Sequence, residues 1–212
     1  MKFFLFFFIV PLHFTFAQTD SLIIDDFNNF ISVNVDFYTS PLRFKTEDWI
    51  KLSSVIGITA IASLADKEVR SFSQQNQSNF ADDVFNIDKY YSIEFAGASI
   101  VAFYGYGLIC ENDKIRKLAV KLTEATFLAT SITVITKTIV GRGRPYNQDS
   151  QYFFNPFTFD YDYNSFPSGH TSLAFAYSTV MANEVDNAFW KIGWYSIAGL
   201  VGYARIYHNQ HW

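Results

Sequence analysis

The sequence predicts an all-α protein, a membrane-associated bundle of five to six helices. Half of the 212 residues are hydrophobic and 19% are aromatic, whereas only 17% are charged. This composition is more apolar than that of an average soluble domain. The apolar residues also fall into long segments separated by polar linkers, which is typical of helices. A chain of this length fits one domain, or one domain together with a targeting segment.

The first 17 residues, MKFFLFFFIVPLHFTFA, have the layout of a secretory signal peptide. One lysine precedes an apolar run at residues 3–10, and small residues near Ala17 mark a plausible cleavage position. The apolar run is too short to span a bilayer. We therefore expect residues 1–17 to be removed and the protein to be exported, with an uncleaved N-terminal anchor as the alternative.

Residues 18–89 are expected to form an N-terminal arm and the first helix. Residues 18–51 lack sustained periodicity, so they predict a surface arm with one short amphipathic helix near residues 21–31. Residues 52–65 predict an apolar helix that is short for a membrane span. Residues 71–89 are rich in Gln and Asn and predict a loop with a partial helix.

Residues 90–212 contain the remaining helices and are expected to form the core domain. Within them, residues 93–110 are the best transmembrane candidate. The next helix, at residues 118–136, holds Lys121 and Glu124, which are costly if they face lipid. Two further helices are predicted at residues 171–182 and 189–206.

The charges between the first two core helices indicate which side of the membrane follows them. Lys114, Arg116 and Lys117 occupy that linker, and such cations favour the cytoplasmic side. If the two helices form a hairpin across the membrane, residues 137–170 lie on the exported side. A peripheral bundle on the exported face of the membrane gives the same side, and the two arrangements stay open.

Charge and cysteine content exclude several classes of function. The formal net charge is −4, and no basic stripe with interleaved aromatic residues is present, so nucleic acid is not expected as a partner. Cys110 is the only cysteine, which excludes an intrachain disulfide and a thiolate metal cluster. His208 and His211 have a spacing compatible with zinc, but no cysteine pair or third ligand accompanies them. We therefore expect neither a metal nor a cofactor.

A turn with the sequence Phe-Pro-Ser-Gly-His-Thr, at residues 166–171, leads into the third core helix. A helix start carries free backbone N–H groups and the positive end of the helix dipole, and both favour an anion. Ser168 and His170 add a hydroxyl and an imidazole, and Gly169 lets a ligand approach the backbone closely. Ordinary helix capping explains the same residues, so other charged groups must decide between the two interpretations.

Two cationic clusters flank this turn in the sequence. Lys137 and Arg144 follow the second core helix, where two glycines let the chain fold back, so both cations can reach one site. Cations at a helix C-terminus also offset its dipole, which is the alternative role. Arg205 and His211 lie near the last residue, about 240° apart around an ideal helix. If both serve one site, the helix must end between them.

The three clusters resemble, in order and spacing, the motifs of the type-2 phosphatidic acid phosphatase superfamily. The motifs are K-x6-R-P at residues 137–145, P-S-G-H at 167–170 and R-x5-H at 205–211. This superfamily also includes bacterial class A acid phosphatases and vanadium haloperoxidases. The resemblance covers roughly residues 90–212, and three motifs in order are far more specific than any one. The chain is more similar to the membrane lipid phosphatases than to the soluble acid phosphatases.

The resemblance implies a phosphatase that works through a phosphohistidine and needs no metal. By the family pattern, His211 attacks phosphorus and His170 protonates the leaving oxygen. The phosphoryl oxygens would be held by Lys137, Arg144, Arg205, the Ser168 hydroxyl and the Gly169 N–H.

Two positions depart from the family pattern. A serine usually precedes the arginine of the third motif, where this chain has Ala204, and the change removes a hydroxyl but no catalytic group. The family also places an aspartate four residues after the nucleophilic histidine, which would fall beyond Trp212. We therefore expect the catalytic core to be incomplete at its C-terminus, and the chain as it stands to be inactive without that carboxylate.

The resemblance and the apolar composition together imply a phosphorylated or pyrophosphorylated lipid as substrate and membrane lipid as partner. The site is expected to face the periplasm of a bacterial cell. A small soluble phosphomonoester is the alternative substrate, and vanadate-dependent halide oxidation is the alternative reaction. A degenerate, non-catalytic phosphate-binding membrane protein is the alternative outside enzymes. The oligomeric state is not predicted.

Overall fold

The computed structural model describes residues 16–147 and 150–212 of the chain. It is 78% helical, and the described residues contain no strand beyond an isolated antiparallel bridge between Arg142 and Phe154. The predicted all-α class is therefore confirmed. Most of the predicted signal peptide, residues 1–15, lies outside the described residues, so its removal stays a prediction.

The described helices are numbered α1 to α9 along the chain. They are α1 (Phe16–Thr39), α2 (Thr46–Ala62), α3 (Asp66–Gln75), α4 (Asn79–Phe85), α5 (Ile87–Tyr90), α6 (Ile93–Ile109), α7 (Asp113–Val140), α8 (Gly169–Asn183) and α9 (Ala188–Tyr207). The stretch at residues 71–89, predicted as a loop with a partial helix, holds the end of α3 together with α4 and α5. Polar residues in this stretch favour the start of a helix, because the Ser78 hydroxyl caps α4 by accepting a hydrogen bond from the Ala81 N–H at 3.2 Å.

Helices α6 to α9 pack as an up-and-down bundle around one apolar core. Leu122, Tyr177 and Val201 from three of these helices are almost fully buried at its centre. The Tyr177 hydroxyl donates a hydrogen bond to the Ser99 Oγ at 2.8 Å, so its polar end is satisfied inside the core. The alternating directions bring the end of α7, the start of α8 and the end of α9 to the same end of the bundle.

Helix α1 is longer than the short helix predicted at residues 21–31, and it supplies partners for polar residues of α7. The Asn29 amide donates to a Glu124 carboxylate oxygen at 2.7 Å, and Lys121 forms a 2.7 Å ion pair with Glu184. Helix α1 adds an ion pair from Asp26 to Arg116 and a hydrogen bond between Tyr38 and Ser131. The charges that made α7 costly as a membrane helix are thus paired within the protein.

Two described helices are long and apolar enough to cross a membrane. The first is the 30-residue helix Thr46–Gln75, in which α2 continues through a 3-10 turn into α3. None of its most apolar 18-residue stretch is buried inside the protein. The prediction that residues 52–65 are short for a span is therefore wrong, because the helix does not end there. The second is α7, with 28 residues. The segment preferred from the sequence, residues 93–110, qualifies only when α6 is joined to α4 and α5 across a 53° bend.

The chain after α7 folds back over the end of that helix. Gly141 ends α7 in the left-handed conformation, with a φ of 57°. Its carbonyl accepts a hydrogen bond from the Asn155 N–H at 2.7 Å, and the Arg142 carbonyl accepts one from the Ser165 N–H at 2.9 Å. These bonds hold the start of the loop against its end, directly before α8.

The substitution Gly141→Ala is expected to destabilise the protein by more than the roughly 1–2 kcal/mol that a left-handed backbone costs an L-residue. An added Cβ would also lie 1.8 Å from the Asn155 carbonyl oxygen, so the backbone would have to move. Gly193→Ala in α9 is the matched control, since its added Cβ meets no atom within 4 Å. Thermal unfolding in detergent measures both variants, and equal midpoints would contradict the role given to Gly141.

Candidate active site

The candidate site lies where three helix ends meet. Lys137 stands in the last turn of α7, Ser168 caps α8, and His211 follows the end of α9. Helix α9 ends at Tyr207, between Arg205 and His211, as their spacing requires. Past this end the chain turns back, because the His211 N–H donates to the Arg205 carbonyl at 3.2 Å.

His211 is only 4% exposed, and its ring is oriented by a backbone carbonyl. Its Nδ1 lies 2.6 Å from the Ser165 carbonyl oxygen. A carbonyl can only accept, so Nδ1 carries the hydrogen and Nε2 keeps a free lone pair. Sequence reasoning missed Ser165, because a backbone carbonyl carries no signal in the residue type.

The surroundings of His211 hold its imidazole neutral. Burial lowers the pKa of His211 well below its usual value, although the hydrogen bond to Ser165 opposes this. The positive charges of Lys137, Arg144 and Arg205 lower the pKa further. All three predicted cations therefore act electrostatically on this one imidazole.

Backbone carbonyls position the first two cations. The Lys137 ammonium donates to the Asn164 carbonyl. The Arg144 guanidinium donates to the Tyr161 carbonyl at 3.1 Å and to the Gln210 carbonyl at 3.2 Å, and it stacks 4.0 Å from the Tyr161 ring centre. Arg144 therefore links the loop before α8 to the chain after α9.

A buried carboxylate positions the third cation. Asp88, in α5, is 1% exposed and accepts from the Arg205 guanidinium at 2.8 Å. The same oxygen lies 3.0 Å from the His208 Nδ1, so His208 and His211 have different hydrogen-bond partners. Across residues 16–147 and 150–212 no three His, Cys, Asp or Glu side chains are grouped to hold a metal ion. Sequence reasoning missed Asp88, which lay in a predicted loop.

The turn before α8 supplies the remaining predicted residues. The Ser168 hydroxyl accepts from the Thr171 N–H at 3.4 Å, so it acts as a helix cap. A Cβ at Gly169 would meet only the Thr133 methyl group, at 4.0 Å, so packing does not require a glycine there. Space beside the Gly169 backbone is therefore open to a ligand.

His170 shares its electrostatic surroundings with His211. Burial lowers the pKa of His170, and the charge of Arg205 and, to a smaller degree, that of Lys137 lower it further. The carboxylates of Asp88 and Glu94 act in the opposite direction. Arg205 and Lys137 therefore act on both imidazoles.

Helix α3 holds the first and third motifs together, which sequence reasoning also missed. The Arg70 guanidinium donates to the Asn209 side chain at 2.7 Å and to the Pro145 carbonyl at 2.8 Å. It also lies 5.1 Å from the Trp212 ring centre. The available signal is the charged run at residues 66–70, which directly follows the apolar helix predicted at residues 52–65.

Stability against unfolding is expected to decrease as the pH falls through about 6.5, the value for a free histidine. The folded chain keeps His170 and His211 neutral because their pKa values are lowered, whereas the unfolded chain takes up both protons. The stabilisation is fully present above that pH and is lost below it. Unfolding midpoints measured between about pH 5 and 8 check this. The variant His211→Asn should have a flatter profile, and an unchanged profile would contradict the buried neutral state.

Comparison with known proteins agrees with this geometry. The PAP2 superfamily profile matches residues 118–212, which contain all three motifs. A 51-residue segment is 39% identical to the lipid A 1-phosphatase of Porphyromonas gingivalis, and it covers 23% of this chain but only 12% of that protein. No solved structure matches the chain significantly. Over residues 118–212, the chain is therefore similar to the PAP2 superfamily.

Proposed function

We propose that this protein is a phosphatase that removes phosphate from a membrane lipid through a phosphohistidine on His211, without a metal ion. The observation that carries the proposal is the convergence of three cations on a buried, neutral imidazole whose Nδ1 is already occupied. A neutral imidazole with a free Nε2 is a competent nucleophile. The superfamily match and the lipid A 1-phosphatase relative support the reaction class and the lipid substrate.

Substrate binding in this proposal is mainly electrostatic. A phosphomonoester is doubly charged, and its transfer is accelerated by groups that stabilise charge on the equatorial oxygens. Lys137, Arg144 and Arg205 would hold these oxygens, with help from the Ser168 hydroxyl. The Gly169 N–H and the dipole of α8 add positive potential at the same point.

The first chemical step transfers the phosphoryl group to the protein. The Nε2 of His211 attacks phosphorus, the bond from phosphorus to the leaving oxygen breaks, and His170 gives that oxygen a proton. His170 must be protonated for this step. A bound phosphate dianion would oppose the fields of Arg205 and Lys137, and would thereby raise the lowered pKa of His170.

The second step releases inorganic phosphate. His170, now neutral, takes a proton from water, and the resulting hydroxide attacks phosphorus. The bond between phosphorus and the His211 Nε2 then breaks, and the free imidazole is restored. The Ser165 carbonyl keeps the ring in one orientation through both steps.

We place the site on the periplasmic side of the membrane. The connection between α6 and α7 lies at the end of the bundle opposite the candidate site, and the first turns of α7 beside it carry the exposed residues Lys114 and Lys117. Cations near the ends of membrane helices favour the cytoplasmic side. The opposite end, with the candidate site, then faces the periplasm.

The full-length protein should release phosphate from a lipid phosphate in the presence of EDTA. His211→Ala is expected to lower kcat by at least about 10³-fold, because the nucleophile is lost. His170→Ala is expected to lower it by about 10²–10⁴-fold, because general acid–base catalysis is lost. Lys191→Ala, at an exposed ion pair with Asp186, is the control and should keep wild-type kinetics.

A panel of lipid A phosphate, undecaprenyl pyrophosphate, phosphatidylglycerol phosphate and a soluble phosphomonoester would identify the preferred substrate. Undiminished turnover in His211→Ala would rule out the mechanism. Phosphate or vanadate binding without any turnover in the full-length protein would instead indicate a non-catalytic binding protein.

A further inference from the structure

The loop between the first and second motifs exposes several aromatic side chains beside the candidate site. We call residues 152–161 the aromatic loop; its six aromatic residues are Tyr152, Phe153, Phe154, Phe157, Phe159 and Tyr161. Phe157 is 77% exposed and Phe159 is 85% exposed. In the described part of the chain no aromatic ring stacks on either of them. Large apolar groups exposed together in this way indicate an interaction surface.

The backbone at Phe157 shows that the chain holds this ring outward against its own conformational preference. Phe157 has a φ of 61°, in the left-handed region that is unfavourable for a bulky side chain. Its N–H donates to the Thr138 carbonyl at 2.7 Å, which fixes the backbone to the end of α7. The ring is 77% exposed, so packing of the ring within the protein does little to offset this conformational cost.

The position of the loop identifies the partner as the lipid leaflet. Thr138 is in the last turn of α7, one of the two helices apolar enough to cross a membrane. The 28 residues of α7 extend about 42 Å, more than the roughly 30 Å of hydrocarbon in a bilayer. A loop bonded to the end of this helix therefore lies where lipid meets water. Phenylalanine has no polar atom to keep in water, so its ring favours the apolar side of that boundary.

The aromatic loop is also continuous with the candidate phosphate site. The Tyr161 carbonyl accepts from Arg144, and the residues that follow the loop supply the carbonyl acceptors for Lys137 and His211. A lipid headgroup bound to these cations would have its acyl chains close to Phe157 and Phe159.

We propose that the aromatic loop inserts Phe157 and Phe159 into the lipid leaflet beside the site, and thereby favours phosphates on long-chain lipids over soluble phosphomonoesters. The proposed insertion is supported by the exposure of the two rings and by their position at the end of α7. The substrate preference rests in addition on the proposed phosphatase function.

The double variant Phe157→Asn/Phe159→Ser tests the preference while sparing the fold, because asparagine tolerates the left-handed backbone. For dioleoyl phosphatidic acid in mixed micelles, kcat/KM should fall more than tenfold, the size expected from withdrawing two large rings from lipid. For p-nitrophenyl phosphate it should change less than about twofold, since the cations and histidines are untouched. Phe189→Ser, at an equally exposed phenylalanine (84%) at the other end of the bundle, is the matched control. An equal loss on both substrates, or no loss on either, would overturn the proposed preference.

A second measurement separates this proposal from the phosphatase function. In a Cys110→Ser background, the substitution Phe159→Cys provides a site for an environment-sensitive NBD label. In vesicles of phosphatidylcholine and phosphatidylglycerol, the label should shift to the blue and be quenched by spin-labelled lipid. The same label at Asp186→Cys, an exposed polar loop position at the other end of the bundle, should keep an aqueous spectrum. An aqueous spectrum at position 159 would overturn the insertion, even if the protein proves to be an active phosphatase. Should the wild-type protein hydrolyse neither substrate, the phosphatase function fails, and the label still decides the insertion.

Discussion

The convergence of three positive charges on one buried imidazole is the constraint on which the rest of the site depends. Two like charges about 6 Å apart repel by about 3 kcal/mol at an effective dielectric constant of about 20, so the cluster needs acceptors on every side. Backbone carbonyls receive Lys137 and Arg144, and the carboxylate of Asp88 receives Arg205. A doubly charged phosphate would relieve the remaining repulsion. The arrangement that is costly for folding is therefore favourable for binding such an anion.

Elements outside the three motifs give this cluster its geometry. The helix Thr46–Gln75 combines an apolar half in which no described residue is buried with a polar half that reaches the site. Arg70, in the polar half, bonds both the chain after α7 and the chain after α9. The aromatic loop, which lies between α7 and α8 in the sequence, forms hydrogen bonds to Thr138 at the end of α7 and to Arg144 in the chain after it. The helix Thr46–Gln75 and the aromatic loop thus both hold the site in place, and both join apolar to polar regions of the chain.

How far the sequence predicts this structure depends on what each residue type can reveal. The helix end between Arg205 and His211 could be predicted, because two residues about 240° apart cannot share one helical face. The convergence of the cations was an expectation from motif order. The acceptors could not be predicted in the same way. The Ser165 carbonyl is a backbone atom, and Asp88 is one acid among many until folding places it against Arg205. The length of Thr46–Gln75 was underestimated because its charged second half resembles a helix terminus.

The central claim is that His211 is the residue to which the phosphoryl group is transferred. Its most direct test is to mix the full-length protein with a lipid phosphate, quench the reaction in base within milliseconds, and map covalent phosphate by mass spectrometry. Base preserves a phosphohistidine, whereas acid destroys it. The proposed mechanism predicts phosphate on His211, at a level that falls when turnover is complete. Turnover without phosphate on His211, or with phosphate on another residue, would contradict it.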